Sequence, residues 1–94
     1  MSKKELKKFL TEILKKNGVE KASLFGSIAR AENSEESDID ILIQFPKGKS
    51  LFDLIGLKLE LEEVLHKEVD VLTYSSIHPR IRKYVLRDEE LIYE

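Results

Sequence analysis

The sequence predicts a small α+β domain in which helices pack against a mixed β-sheet, and three observations support this prediction. Amphipathic helical segments alternate with short apolar strands along the chain, as in domains that pack helices against a single sheet. Hydrophobic residues make up 41% of the 94 residues, which is enough for one core. The length suits one domain and no more, so we expect residues 1–94 to form a single domain.

The first helix is predicted to begin after Ser2, because Ser2 and Glu5 have the spacing of a capping box. Apolar residues then recur at helical spacing until Asn17 and Gly18, which together provide a C-terminal stop. A short strand is predicted to follow over residues 19–25.

The clearest strand is predicted over Asp38–Phe45, after one helical turn at residues 28–32 and an exposed loop at residues 33–37. Its apolar residues alternate onto one side of the strand, as expected when one face of a sheet is buried: Ile39, Ile41, Ile43 and Phe45. Four elements are predicted beyond it: a long helix ending near His66, a strand over Val69–Thr73, a helix that Pro79 opens, and a closing strand over Leu91–Tyr93.

Composition narrows the possible functions. Sixteen basic and 18 acidic residues nearly balance, which argues against direct nucleic-acid binding as the main function. Charges interrupt the apolar residues of the N-terminus, so we expect neither a signal peptide nor a membrane span. The absence of cysteine excludes disulfides, zinc–thiolate clusters and a thiol nucleophile, and it fits a cytoplasmic location.

Paired carboxylates are the most informative feature. Asp38 and Asp40 are two residues apart in a predicted strand, so they face the same side with Cα atoms roughly 6.5–7 Å apart. Asp70 lies within another apolar strand, where aspartate is disfavoured by propensity and by the cost of burial. Three such carboxylates can hold Mg²⁺ against phosphate oxygens. The residues alone leave two interpretations open, a metal site or a solvated acidic face.

A Gly-Ser pair ends the first strand. Gly26 and Ser27 would offer backbone N–H groups, a hydroxyl and a helix N-terminus, all of which favour a phosphate group. Only ten residues separate Ser27 from Asp38, a loop short enough to return the second strand beside the first.

The segment GSIARAENSEESDIDILI resembles the signature of the DNA polymerase β-like nucleotidyltransferase superfamily, in which Gly-Ser precedes Asp-x-Asp by about ten residues. The whole chain, including the strand VDVLT, is most similar to the minimal nucleotidyltransferases. It departs from their usual pattern at Ile28, often arginine, and at Ala31, often glycine. Neither departure removes a proposed metal ligand.

The resemblance implies a catalytic role for each candidate residue. Asp38, Asp40 and Asp70 would be catalytic and would ligate two Mg²⁺ ions, while Gly26 and Ser27 would bind the nucleotide phosphates. The implied activity is transfer of AMP from ATP to a hydroxyl group with release of pyrophosphate.

The resemblance also implies a partner. Minimal nucleotidyltransferases accompany helical HEPN-domain toxins and act as antitoxins that add AMP to a tyrosine of the toxin. The second long helix has apolar residues that fit either a core or a dimer surface, so a homo-oligomer is also compatible with the sequence.

Residues of this kind also occur in proteins with other functions. The chain could be a catalytically silent antitoxin that acts by binding its partner. A haloacid-dehalogenase-type phosphatase is disfavoured, because there the apolar strand precedes the aspartate pair, whereas here the apolar residues run within and after it. The three tyrosines, at positions 74, 84 and 93, are interpreted as packing residues rather than as a platform for a nucleobase.

Overall fold

The computed structural model describes residues 2–26 and 39–94. Within these ranges the elements are α1 (Lys3–Lys16), β1 (Lys21–Phe25), β2 (Ile39–Gln44), α2 (Leu51–Leu65), β3 (Val69–Thr73), a 3₁₀ turn (Tyr74–Ser76), α3 (Pro79–Arg87) and β4 (Glu90–Tyr93). The turn and loop predicted over residues 28–37 lie outside the described residues. The other predicted elements are present, which confirms the α+β class.

The four described strands form one mixed sheet in the order β3-β2-β1-β4. Strand β1 runs antiparallel to both β2 and β4, whereas β2 and β3 are parallel. The antiparallel pairing of β1 with β2 confirms that the second strand lies beside the first.

One face of the sheet carries the hydrophobic core. The inward residues of β2, Ile39, Ile41 and Ile43, are buried there, as the alternation predicted. Helices α1 and α2 cover this face with their own buried leucines: Leu6, Leu10, Leu14, Leu57 and Leu61. Burial of each such side chain stabilises the fold by about 1.5–3 kcal/mol.

The helix ends follow their capping residues. The Ser2 hydroxyl accepts a hydrogen bond from the Glu5 backbone N–H at 3.1 Å, which confirms the predicted start of α1. Gly18 has φ +80°, so the chain turns away from α1 in the left-handed region that glycine tolerates. Pro79 occupies the first turn of α3, where the His78 imidazole accepts from the Arg80 N–H at 3.1 Å.

The opposite face of the sheet is partly covered by a polar network. The buried Ser23 hydroxyl donates to the Glu89 carboxylate at 2.7 Å, and the Tyr74 hydroxyl contacts both residues. Burial would raise the pKa of Glu89, but these hydrogen bonds outweigh it and hold the pKa below its ordinary value. Burial and the hydrogen bond with Glu89 raise the pKa of Tyr74. The network ties β1 to the segments on either side of α3.

Some sequence expectations were wrong in detail. The first strand begins at Lys21 rather than at Val19, which is buried in the core just before it. Tyr93 packs against the core and its hydroxyl donates to the Val19 carbonyl at 2.6 Å, whereas Tyr74 is half-buried and its hydroxyl belongs to the polar network. Tyr84 does not pack in this way, because 61% of its surface is exposed.

Candidate active site

Two of the three candidate carboxylates are neighbours across the sheet. Asp40 of β2 and Asp70 of β3 are direct register partners in the parallel pair. Because register partners project from the same face, both side chains leave the sheet on the face opposite the core. The sequence pattern placed Asp70 only on some other strand, and the strand order brings it next to Asp40.

The same row continues onto β1. Phe25 is the antiparallel register partner of Asp40, so Phe25, Asp40 and Asp70 lie side by side on three adjacent strands. The row lies at the carboxyl end of β1 and near the amino ends of β2 and β3.

Gly26 lies immediately beyond this row and faces Asp40. Its φ is +72°, and a Cβ at this position would overlap the Asp40 Oδ2 atom and lie 3.2 Å from Cγ. The overlap with Oδ2 could be relieved only if the carboxylate moved. The missing side chain therefore makes room for the Asp40 carboxylate against the backbone of Gly26.

The remaining candidates, Ser27 and Asp38, lie outside the described residues. Residues 2–26 and 39–94 contain no group of three His, Cys, Asp or Glu side chains arranged to hold a metal. Of the three predicted ligands, only Asp40 and Asp70 fall within these ranges.

The burial argument for Asp70 was wrong. Asp70 is exposed on β3, so its charge carries no burial cost there. An exposed carboxylate beside a half-buried one is accessible to solutes, which an active-site group requires.

The Lys58 side chain stabilises the start of β3. The sequence alone did not predict this role. The Lys58 ammonium donates to the Glu62 carboxylate at 2.9 Å and to the Val69 carbonyl at 2.8 Å. Glu62 also accepts from the Val69 N–H at 3.1 Å. The hydrogen bond to Glu62, with smaller contributions from Asp70 and other acidic charges, raises the pKa of Lys58. The i, i+4 spacing of Lys58 and Glu62 was the available sequence signal.

Among the described residues, hollows lie at both ends of β2. A smaller one, of about 250 Å³, lies at the end of β1 against Phe25 and Gly26. A larger one, of about 600 Å³, lies at the carboxyl ends of β2 and β3, where Phe45, Thr73 and Tyr74 contribute to its wall. Neither Asp40 nor Asp70 lines either hollow, but the smaller one is lined by Gly26, which faces the Asp40 carboxylate.

Within the described parts of the chain, no helix is both long and apolar enough to cross a membrane.

Comparison with known proteins finds nucleotidyltransferases among those similar to this chain. The family model described as "Polymerase beta, Nucleotidyltransferase" matches residues 8–94. A Methanocaldococcus jannaschii protein named "putative protein adenylyltransferase" is 58% identical over 88 residues, which cover 94% of this chain and 95% of that protein.

Solved structures give the same fold. The structure described as "putative minimal nucleotidyltransferase" has a TM-score of 0.77 and 35% identity, covering 94% of this chain and 88% of the other. A chain from the complex of a tri-AMPylated Shewanella oneidensis HEPN toxin with an MNT antitoxin has a TM-score of 0.78 and 18% identity, covering 98% and 72% of the two chains. Because the identity to this second chain is only 18%, the similarity shows a shared fold and nothing more.

Proposed function

This chain belongs to the polymerase beta nucleotidyltransferase family, and from that premise we propose that it transfers AMP from ATP to a tyrosine hydroxyl of a HEPN-type partner protein. The relative that is 58% identical is named a protein adenylyltransferase, which supports a protein as the acceptor. The reaction would join the hydroxyl oxygen to the α-phosphorus of ATP, break the bond from that phosphorus to the bridging oxygen, and release pyrophosphate.

The observation that carries the proposal is the pairing of Asp40 with Asp70 beside the bare backbone of Gly26. Two carboxylates on one face, next to a residue without a side chain, are a donor set that fits a hard divalent cation. We propose that Asp38, Asp40 and Asp70 hold two Mg²⁺ ions, and that Gly26 and Ser27 contact the phosphates. When bound, magnesium would neutralise the triphosphate and stabilise the departing pyrophosphate.

The chain's own residues would position the reactants. Because Gly26 has no side chain, a triphosphate could pass close to its backbone and reach the Asp40 carboxylate along the end of β1. Asp70 is exposed, so it can be reached by a partner's hydroxyl group and is available to accept its proton. The Lys58–Glu62 pair holds the backbone of Val69, just before Asp70, and so helps to position the start of β3.

One observation favours a second function, which is binding a partner without transfer. The outward side of α2 exposes four large apolar side chains: Leu51, Phe52, Ile55 and Leu59. Helix α2 packs on the core face, so this apolar surface lies on the layer opposite the carboxylates. Exposed apolar surface of this kind is typical of protein interfaces, and a HEPN-type partner held there would need no nucleotide chemistry.

The decisive experiment measures the mass of the partner. With ATP, Mg²⁺ and the chain, we expect the partner's mass to rise by one or more AMP units. Asp40→Asn and Asp70→Asn should abolish the increase while the circular dichroism spectrum is retained. Glu63→Gln, which removes an exposed carboxylate of α2, is the matched control and should leave the increase unchanged.

The outcome separates the two functions. A stable complex whose partner never gains mass, with or without nucleotide, would overturn the transfer proposal and support binding alone. A mass increase that Asp40→Asn does not affect would show that the reaction belongs to other residues.

A further inference from the structure

A small hollow lies at the carboxyl end of β1, between that strand and the last turn of α3. It has a volume of about 250 Å³ and is lined by Phe25, Gly26, Tyr84, Val85, Arg87 and Asp88. A hollow of this size is below the 300–1,000 Å³ that is typical of pockets for whole drug-sized ligands. It therefore suits one ring system with the rest of a ligand extending outside.

The hollow adjoins the candidate active site directly. Phe25 lines it and is the register partner of Asp40, while Gly26 lines it and faces the Asp40 carboxylate. On the other side of β1, the pairing of Leu24 with Glu90 brings the end of α3 next to Gly26. A ligand that extends from the hollow past Gly26 would thus reach Asp40.

Tyr84 presents an aromatic surface to this hollow. The side chain lines the hollow and is 61% exposed, so most of it remains available for a contact. The Arg87 guanidinium lies 5.9 Å from the ring centroid and 3.9 Å from Asp88. Arg87 therefore places a positive charge beside the ring, where it offsets the negative charge of Asp88 towards an anionic ligand.

We propose that this hollow is the nucleoside subsite, in which the nucleobase of a nucleoside triphosphate stacks on Tyr84 while its phosphates extend over Gly26 towards Asp40. The inference rests on the proposed function, because it requires that the ligand of the carboxylates is a nucleotide. Stacking on an aromatic ring is tolerant of the base, since every nucleobase offers a π-face. Tyr84 would supply affinity and would not select adenine.

The test compares a nucleotide with its phosphates alone. Binding of α,β-methylene ATP, which cannot donate its AMP, and of inorganic tripolyphosphate is measured by calorimetry in Mg²⁺. The variants are Tyr84→Ala, which removes the ring, and Tyr84→Phe, which retains it. Ile81→Ala, an exposed position of the same helix outside the hollow, is the matched control.

We expect Tyr84→Ala to weaken binding of the nucleotide about ten- to hundredfold, the range that loss of one base–aromatic stack produces. Tripolyphosphate should bind the same variant as it binds the unmodified chain, which also shows that the fold and the phosphate region are intact. Tyr84→Phe and Ile81→Ala should bind both ligands normally.

Failure of the proposed subsite and failure of the proposed function would give different results. Equal nucleotide affinity in Tyr84→Ala and the unmodified chain would overturn the subsite while leaving the proposed function standing. Equal weakening of nucleotide and tripolyphosphate would also overturn it, because the effect would not be on the base. If the unmodified chain binds neither ligand, the proposed function fails and the subsite fails with it.

Discussion

Gly26 and Asp40 are fitted to each other: the direction that a side chain would take from Gly26 is the direction in which the Asp40 carboxylate lies. The two residues belong to adjacent antiparallel strands, and Gly26 follows Phe25, the register partner of Asp40. Any other residue at position 26 must therefore change the orientation of a candidate metal ligand.

Gly26→Ala should impair both stability and nucleotide binding. The φ of +72° costs alanine about 1–2 kcal/mol, and the new methyl group must also displace the Asp40 carboxylate. We expect a lower free energy of unfolding in urea and weaker binding of α,β-methylene ATP. Gly48→Ala is the control, because its φ is +96° but nothing lies within 4 Å of an added Cβ. Normal nucleotide binding by Gly26→Ala would contradict the proposal that nucleotide binding requires the absence of a side chain at position 26.

Asp70→Asn should remove a metal-dependent gain in stability. Like charges directly opposite each other in a sheet destabilise it by about 0.2–1 kcal/mol, so without metal the variant should be as stable as the unmodified chain or slightly more stable. Thermal melting with EDTA and with Mg²⁺ checks this: Mg²⁺ should raise the Tm of the unmodified chain, and raise it less in Asp70→Asn. The same metal-induced shift in both proteins would exclude Asp70 from the site.

Gly56→Ala should stabilise the fold. Gly56 lies within α2, and a Cβ there would meet no atom within 4 Å. Alanine is favoured over glycine inside a helix by about 1 kcal/mol, so the free energy of unfolding should rise by about that amount. Chemical denaturation at several protein concentrations checks the gain. A loss of stability that depends on concentration would instead show that a second copy packs against this part of α2.

Glu89 should contribute to acid sensitivity. Its folded pKa lies below the ordinary value of 4.5, so its stabilising effect is present above that pH and is lost as the pH falls through the lowered folded pKa. Glu89→Gln should therefore be less stable than the unmodified chain at neutral pH, with a difference that shrinks in acid. Urea midpoints measured from pH 7 down to about pH 3 test this. Glu20→Gln, which changes an exposed carboxylate outside the network, is the matched control.

The local features of the fold were predictable from sequence because local chemistry determines them. Ser2 caps α1, Pro79 starts α3, and the alternating isoleucines of β2 face the core. Each of these signals acts over a few residues and needs no knowledge of the tertiary arrangement.

The arrangement of the site needed the tertiary structure. Asp40 and Asp70 are thirty positions apart, and only the parallel register of β2 with β3 makes them neighbours. Tyr84 was wrongly expected to pack, because the aromatic character of a side chain does not say whether other elements cover its helix. Ile81 shows the same effect, since it has helical core spacing yet is 51% exposed.

The position of β3 at the border of the sheet gives Asp70 another consequence. Outer strands present unpaired backbone groups on which further chains can grow in edge-to-edge association, and charged side chains are a common protection against this. Besides its proposed catalytic duty, the Asp70 carboxylate therefore helps to keep the protein dispersed. A neutral replacement should precipitate sooner in concentrated solution, most visibly where salt weakens the remaining repulsion.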